Sequence, residues 1–283
     1  MRVSQRLRTR DRYITQGEVG IEVEMEGMNL PTDVPLWRID EDGSLKGNSA
    51  EYVLSRPMSY SEGYGALDTL MDKLIDEGSV VRDTVRAGVH IHINVQHMEF
   101  KELLNFITLY ILFEEVLVGY CGEGRQGNLF CLRIKDAEDI LFRLKIALVM
   151  EDFESLHTDE LRYGSMNLKA LGDYGSLEFR AMRSTIDFKR IKTWIGMLKS
   201  LKDLSSKWKD PLDLMKAVDE VGVDSFFLKY MAKYVWAYKM EGLEGQLKRG
   251  RMYALELAHC VNWENFKDNL SNPFMPHYCG VEL

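Results

Sequence analysis

Three stretches of this chain carry side chains that could do chemistry together. The first is Gly20-Ile21-Glu22-Val23-Glu24-Met25-Glu26-Gly27, in which apolar and acidic residues alternate. Side chains two residues apart on a strand share a face and lie roughly 7 Å apart, so Glu22, Glu24 and Glu26 point one way. Carboxylates held that close raise one another's pKa unless a cation sits among them. The second stretch runs from Gly88 to Val95 and puts His90, His92 and Asn94 on one face. Two histidines at strand spacing are a frequent ligand pair, because neutral imidazole suits borderline cations. The third is Ser176-Leu177-Glu178-Phe179-Arg180, with Glu178 and Arg180 on one face.

Each stretch alone has an ordinary explanation. An acidic strand can be a solvated face, a histidine can be a satisfied core residue, and a Glu–Arg pair can be a structural ion pair. Their conjunction shifts the balance. Solvated sheet faces draw on Thr, Lys and Ser, whereas these polar faces hold Glu, His, Asn, Ser and one Arg. Carboxylates, imidazoles and a guanidinium together suit metal ions and phosphate.

The elements that must position these residues read as a mixture. Strands are expected at 20–27, 36–40, 51–55, 88–95 and 174–180, from their period-two alternation. Ser59 and Glu62 have capping-box spacing and start a helix with the stripe Leu67, Leu70, Met71, Leu74 and Ile75, closed by Gly78. Residues 99–120 are apolar around most of a helical circumference and read as a buried helix. Glu114 and Glu115 lie on it, and at least one is expected at its exposed edge. Residues 136–150 read as helix, and Asp187 caps another with the stripe Ile191, Trp194, Ile195, Leu198 and Leu201. Beyond about 208 the pattern is helical, broken by Gly222, Gly242 and Gly245. The irregular mixing implies α+β with a largely antiparallel sheet. A βαβ rhythm, GxGxxG and a Walker loop are all missing from the sequence. Two regions follow: 1–207, which carries the chemistry, and 208–283, a helical extension packed on the same domain.

Composition excludes several classes. Hydrophobic residues are 46% and charged residues 28%, which is globular rather than disordered. Lys and Arg number 36 against 44 Asp and Glu, a net charge of −8, so no strong affinity for nucleic acid or an anionic membrane is expected. Four cysteines in 283 residues are too sparse for a disulfide scaffold. The arginine-rich N-terminus lacks the apolar run of a secretory signal. Leu103–Cys121, interrupted by its two glutamates, falls short of a clean membrane span. The expected location is the cytoplasm.

In order along the chain, Gly20-x-Glu22-x-Glu24, Asp42-Gly43-Ser44-Leu45, Glu51-Tyr52-Val53-Leu54-Ser55-x-Pro57, Gly88-x-His90-x-His92, and Arg162-Tyr163 to Asn167-Leu168 followed by Ser176–Arg180 form a set. That set resembles the amidoligases of the carboxylate–amine ligase superfamily, to which glutamine synthetase and glutamate–cysteine ligase belong. The resemblance covers roughly residues 17–200. It implies a glutamine synthetase-like curved antiparallel sheet whose concave face binds ATP with Mg²⁺ or Mn²⁺. It implies Glu22, Glu24, Glu51, His90 and Glu178 as metal ligands, with Glu51 also open to serving the amine. His92 would lie nearer phosphate and substrate, and Arg180 would meet the transferred phosphoryl group. Nothing is carried over to Glu26. Arg125, in a glycine-rich loop, is open to a nucleotide-phosphate contact or to an ordinary surface position. Arg162 is open to a substrate-carboxylate contact at similar odds.

The activity implied is ATP- and Mg²⁺-dependent joining of a carboxylate to an amine through an acyl phosphate, with an amino acid, peptide or protein side chain as substrate. Oligomeric state stays open, a homo-oligomer included. The alternatives are a metal-dependent hydrolase using the same Glu and His residues, and an inactive binding module. Repulsion among the glutamates leads one to expect that Glu22→Gln or Glu178→Gln leaves the metal-free protein as stable or more so. His259-Cys260 and His277-x-Cys279 lack zinc-ligand spacing. Lys248-Arg249-Gly250-Arg251 reads as a solvated loop, and the aromatic residues of 225–240 as core.

Overall fold

The computed structural model describes residues 1–7, 16–122, 125, 128–129, 131–153, 156, 162–239 and 241–266. His277 and Cys279 lie outside these. A short helix α1 (Val3–Arg6) precedes β1 (Val19–Met28), β2 (Trp37–Asp40), β3 (Ser49–Leu54), α2 (Tyr60–Asp76), β4 (Val80–Val81) and β5 (Gly88–Asn94). Then come α3 (Phe100–Cys121), α4 (Glu138–Met150), β6 (Met166–Asn167), α5 (Ala170–Tyr174), β7 (Ser176–Arg183) and α6 (Phe188–Ser205). Helices α7 (Pro211–Val221), α8 (Val223–Met231) and α9 (Leu243–Ala258) close the described chain.

The strands form one seven-stranded sheet in the order β2-β3-β1-β5-β7-β6, with β4 paired to the end of β1. Every strand pairing is antiparallel, so the fold is α+β. The apolar set of each alternation (Ile21, Val23, Val89, Ile91, Ile93, Leu177 and Phe179) is buried and packs towards the helices. The opposite face carries the polar set.

Helix α3 is the centre of the helical layer. By length and composition it could cross a membrane, yet nearly all of it is buried inside the protein. Helices α6, α7 and α9 pack on it. The approach of α9 is close: a Cβ on Gly250 would sit 2.1 Å from the Leu112 carbonyl oxygen, so only glycine fits. Lys248–Arg251 is therefore part of a helix rather than a loop. Arg249 makes a paired hydrogen bond to Glu115 at 2.8 and 2.7 Å, and Arg251 pairs with Asp219.

Both α3 glutamates are buried, against the expectation of an exposed edge. Glu115 is neutralised by Arg249. Glu114 instead accepts the Ser165 hydroxyl at 2.5 Å and the Ile134 N–H at 2.9 Å, tying α3 to the segment before β6. Burial pushes its carboxyl up to about 7, with the two hydrogen bonds only partly opposing this. A raised acid pKa means that the folded state holds its proton more tightly than the unfolded one. Stability from this group is full below the ordinary value of 4.5 and is lost as pH rises to about 7. Glu114→Gln can keep both bonds, its amide oxygen accepting from Ile134 and its NH₂ donating to Ser165. Thermal melts should show variant and wild type alike at pH 5. At pH 8 the variant should be more stable, by a gain of order 2–3 kcal/mol. A difference that does not change with pH would mean that Glu114 stays ionised throughout.

Candidate active site

Strand pairing decides which polar residues meet. Glu22 lies opposite His90 across β1 and β5, and Glu24 opposite Glu51 across β1 and β3. His92 lies opposite Glu178 across β5 and β7. Paired residues point to the same side of a sheet, so four neighbouring strands deliver two histidines and four glutamates to one face. The His90 Nδ1 is 3.0 Å from Glu22 Oε2 and 3.6 Å from Glu178 Oε1, and its Nε2 is 3.5 Å from Glu24 Oε1. The His92 Nε2 is 3.2 Å from Glu22 Oε1, while its Nδ1 shares a 3.0 Å hydrogen bond with the Ser176 hydroxyl.

Three overlapping groups of side chains have ligand atoms within 4.8 Å of one another and could hold a metal ion: Glu22 with Glu51 and His90, Glu22 with His92 and Glu178, and Glu24 with Asp42 and Glu51. The donor chemistry fits a hard divalent cation, since carboxylate oxygens dominate and each histidine-containing group has one imidazole. All five proposed ligands, Glu22, Glu24, Glu51, His90 and Glu178, fall in these groups, and so does His92. Asp42 is the residue that sequence reasoning placed in a turn and did not bring to the site. Its Oδ1 accepts the Ser44 N–H at 2.7 Å, as a turn aspartate does. The Asp42-Gly43-Ser44 turn was visible, but its position beside Glu24 and Glu51 depends on how β2 and β3 pair. Glu26 serves that turn too, accepting the Lys46 N–H at 3.0 Å.

Charge is divided unevenly across the cluster. Burial tends to raise the Glu22 carboxyl, but His92 and His90, by charge and hydrogen bonds, outweigh it and hold Glu22 well below the carboxylate range. Glu178 is lowered in the same way: burial opposes, and His92, Arg180 and His90 prevail. The His92 ring is disfavoured as a cation by burial, yet Glu22 and Glu178 raise its pKa overall. Glu24 is raised, because burial exceeds the help of His90 and the Gly88 N–H. Glu51 is pushed up to about 7 by burial and then by the Glu22 and Glu24 charges. Histidine and arginine thus outweigh burial at Glu22 and Glu178, whereas at Glu24 and Glu51 burial outweighs the help of His90.

Arg180 ion-pairs with Glu178 and has its Nη1 3.5 Å from His90 Nδ1, so it reaches the cluster as expected. Asn167 donates to the second Glu178 oxygen at 2.5 Å. The β5–β7 register shifts between Val89 and Ile91, whose partners are Met182 and Phe179. Arg180 and Ala181 therefore both lie opposite His90, a β-bulge of the kind that re-aims a side chain. It also ends the alternation at Arg180, although the strand continues to Arg183.

Arg125 explains how the bulge is held. It is 1% exposed, and its guanidinium donates to the carbonyls of Val85, Arg180, Ala181 and Met182. It occupies the space over Gly88, where a Cβ would lie 2.4 Å from its Nη2. Arg125 is thus neither the phosphate contact nor the surface residue expected of it; its donors are directed to the backbone carbonyls of the bulged segment and of Val85. Arg162 is exposed and lies over the Tyr163 ring at 5.4 Å, with no contact to the carboxylate cluster among the described residues. A cleft of about 260 Å³ adjoins the cluster at Glu22 and His92, with Val19, Ile21, Val53 and Leu54 in its lining and Arg38, Arg56 and Tyr174 also bordering it.

The fold and this face define the class: an α+β protein with a carboxylate–imidazole cluster on one face of an open antiparallel sheet. The family model described as "Putative amidoligase enzyme" matches residues 32–201. That span is more than half of the chain, and the chain belongs to this family, whose members are described as amide-bond ligases. The match takes in Glu51, His90, His92, Glu178 and Arg180 and begins after Glu22 and Glu24. No curated protein matches the chain.

Proposed function

We propose that this protein is an ATP- and Mg²⁺-dependent carboxylate–amine ligase that activates its carboxylate as an acyl phosphate. The observation that carries the reading is the overlap of three ligand groups with Arg180 on one sheet face, in a chain of the amidoligase family. A carboxylate does not condense with an amine in water, because its oxygen is a poor leaving group. Transfer of the γ-phosphoryl group of ATP to that oxygen releases ADP. Attack by the amine nitrogen on the carbonyl carbon then expels phosphate, and the nitrogen gives up a proton.

The residues divide this work. Glu22, Glu24, Glu51, His90 and Glu178 would hold divalent ions, joined by Asp42. Bound ions would supply charge neutralisation to phosphoryl oxygens. Arg180 would bond the transferred phosphoryl group through its planar fork, where positioning and charge stabilisation dominate the rate. His92, held between Glu22 and Ser176, would donate a hydrogen bond to phosphate or substrate oxygen. Glu51 would either hold a divalent ion or, where it is not engaged by one, receive the amine proton. The cleft beside Glu22 and His92 would seat the carboxylate or amine substrate.

The test is a screen of carboxylate and amine pairs with ATP and Mg²⁺, read by ADP and phosphate release and by product mass. Release that requires both substrates, with a product lighter than their sum by one water, is expected. Turnover without ATP would replace the reading by a hydrolase, and no ADP release with any pair would remove the enzyme assignment.

A further inference from the structure

The side chains of the cluster lie on β1, β3, β5 and β7 and in the turn that carries Asp42. The edge strand β6 adds one more polar residue to the same face. Met166 pairs with Phe179 and Asn167 with Glu178. Met166 therefore joins the apolar side and Asn167 the polar side. Asn167 is only 6% exposed, although asparagine usually stays in water. A buried amide needs partners at both of its ends.

The two ends of this amide meet different neighbours. The Oδ1 accepts the Lys169 N–H at 2.9 Å, a turn of the kind asparagine makes with the backbone two residues on. A backbone N–H can only donate, so the oxygen must face Lys169 and the NH₂ must face the other way. There it donates to Glu178 Oε2 at 2.5 Å. The orientation of the amide is thus set by the turn and not by the carboxylate it serves. Glu178 is gripped from two sides, by Asn167 at Oε2 and by Arg180 at Oε1. With Oε2 taken, Oε1 is the oxygen turned to the cluster, 3.6 Å from His90 Nδ1.

The two grips are not equivalent for a ligating carboxylate. Arg180 is cationic, which opposes a cation nearby, and in the ligase reading its fork turns to the phosphoryl group. Asn167 is neutral and tied to the backbone, so its hold neither competes with an ion nor depends on where Arg180 points. We propose that Asn167 is the positioning residue of Glu178, keeping that carboxylate in the ligand group it forms with Glu22 and His92 while Arg180 engages phosphate. The inference rests on the metal-dependent part of the ligase reading.

The experiment is calorimetric titration of the full chain with MnCl₂, for wild type, Asn167→Ala and Asn167→Ser. Alanine removes both bonds. Serine can still accept from the Lys169 N–H, but it is too short to reach Glu178 and brings no charge, so it separates the turn from the carboxylate contact. Both variants should weaken Mn²⁺ at one site by about tenfold to a hundredfold, the usual effect of losing an outer partner of a ligand. The group of Glu24, Asp42 and Glu51, which lacks Glu178, should keep wild-type affinity. In a Glu178→Ala background, Asn167→Ser should change Mn²⁺ affinity no further, because Asn167 acts through that carboxylate alone. Thermal melts control for folding, and Asn167→Ser carries the test if Asn167→Ala folds poorly. Wild-type Mn²⁺ affinity in Asn167→Ser, or an equal loss with and without Glu178, would overturn the positioning role and leave the metal reading standing. A wild-type chain that binds no Mn²⁺ would overturn both. The expected pattern of Mn²⁺ affinities with no turnover in the substrate screen would uphold the role of Asn167 and remove the ligase reading.

Discussion

Arg180→Lys is expected to lower kcat by about two powers of ten or more while leaving metal affinity and KM for ATP close to wild type. Lysine keeps the positive charge, so the ion pair with Glu178 and the balance of the buried cluster survive and the melting temperature should barely move. The planar fork is lost. A guanidinium can stay bonded to Glu178 through one nitrogen and present others to two phosphoryl oxygens, which a single ammonium cannot. The bulge matters here, because it places both Arg180 and Ala181 opposite His90 and so aims the guanidinium at the cluster. Binding of ATP should be spared because the contact develops as charge spreads over the transferred group. Steady-state kinetics, metal titration and thermal melts on the one variant decide it. An unchanged kcat would leave Arg180 as the counter-charge of Glu178, and phosphoryl transfer would lose its best residue.

Glu22→Gln should have the larger effect on metal. Glu22 belongs to two of the three ligand groups, so Mn²⁺ affinity should fall by at least a hundredfold and turnover below detection. Its effect on the metal-free protein runs against the expectation from repulsion alone. Glu22 is bonded by both histidines and is held well below the ordinary carboxylate range. A lowered acid pKa contributes stability above the unfolded value and loses it as pH falls through the folded one. Removing that carboxylate takes away the acceptor that both histidine rings bond, a loss on the order of 1–3 kcal/mol above the ordinary carboxylate range. Glu51→Gln should do the opposite. Its carboxyl is pushed up to about 7, so ionising it at pH 8 costs stability that glutamine would restore. Melts of the two metal-free variants at pH 8 should therefore move in opposite directions from wild type. A rise in both would mean that the histidines do not compensate Glu22 in solution.

What the sequence determined by itself is local. Period-two alternation requires only that successive side chains of a strand face opposite ways. It was enough to place Glu22 with Glu24, His90 with His92, and Glu178 with Arg180 on common faces, and their apolar neighbours in the core. The capping box at Ser59 and Glu62, the Asp187 cap and the buried character of α3 are equally local, and each stands in the structure. The two-residue strands β4 and β6 have no period to read. The rest was decided by contacts between residues far apart in the chain. Only the order β3-β1-β5-β7 sets Glu24 beside Glu51 and His92 beside Glu178. Only the bulge, clamped by Arg125, aims Arg180, and only the approach of α9 brings Arg249 to the buried Glu115. Electrostatics followed the same division. Three glutamates on one strand repel when considered alone, but the field at each carboxylate is set by what the neighbouring strands bring. Histidine and arginine stand beside Glu22 and Glu178, whereas Glu51 faces further carboxylates, and no spacing along a single strand encodes that difference.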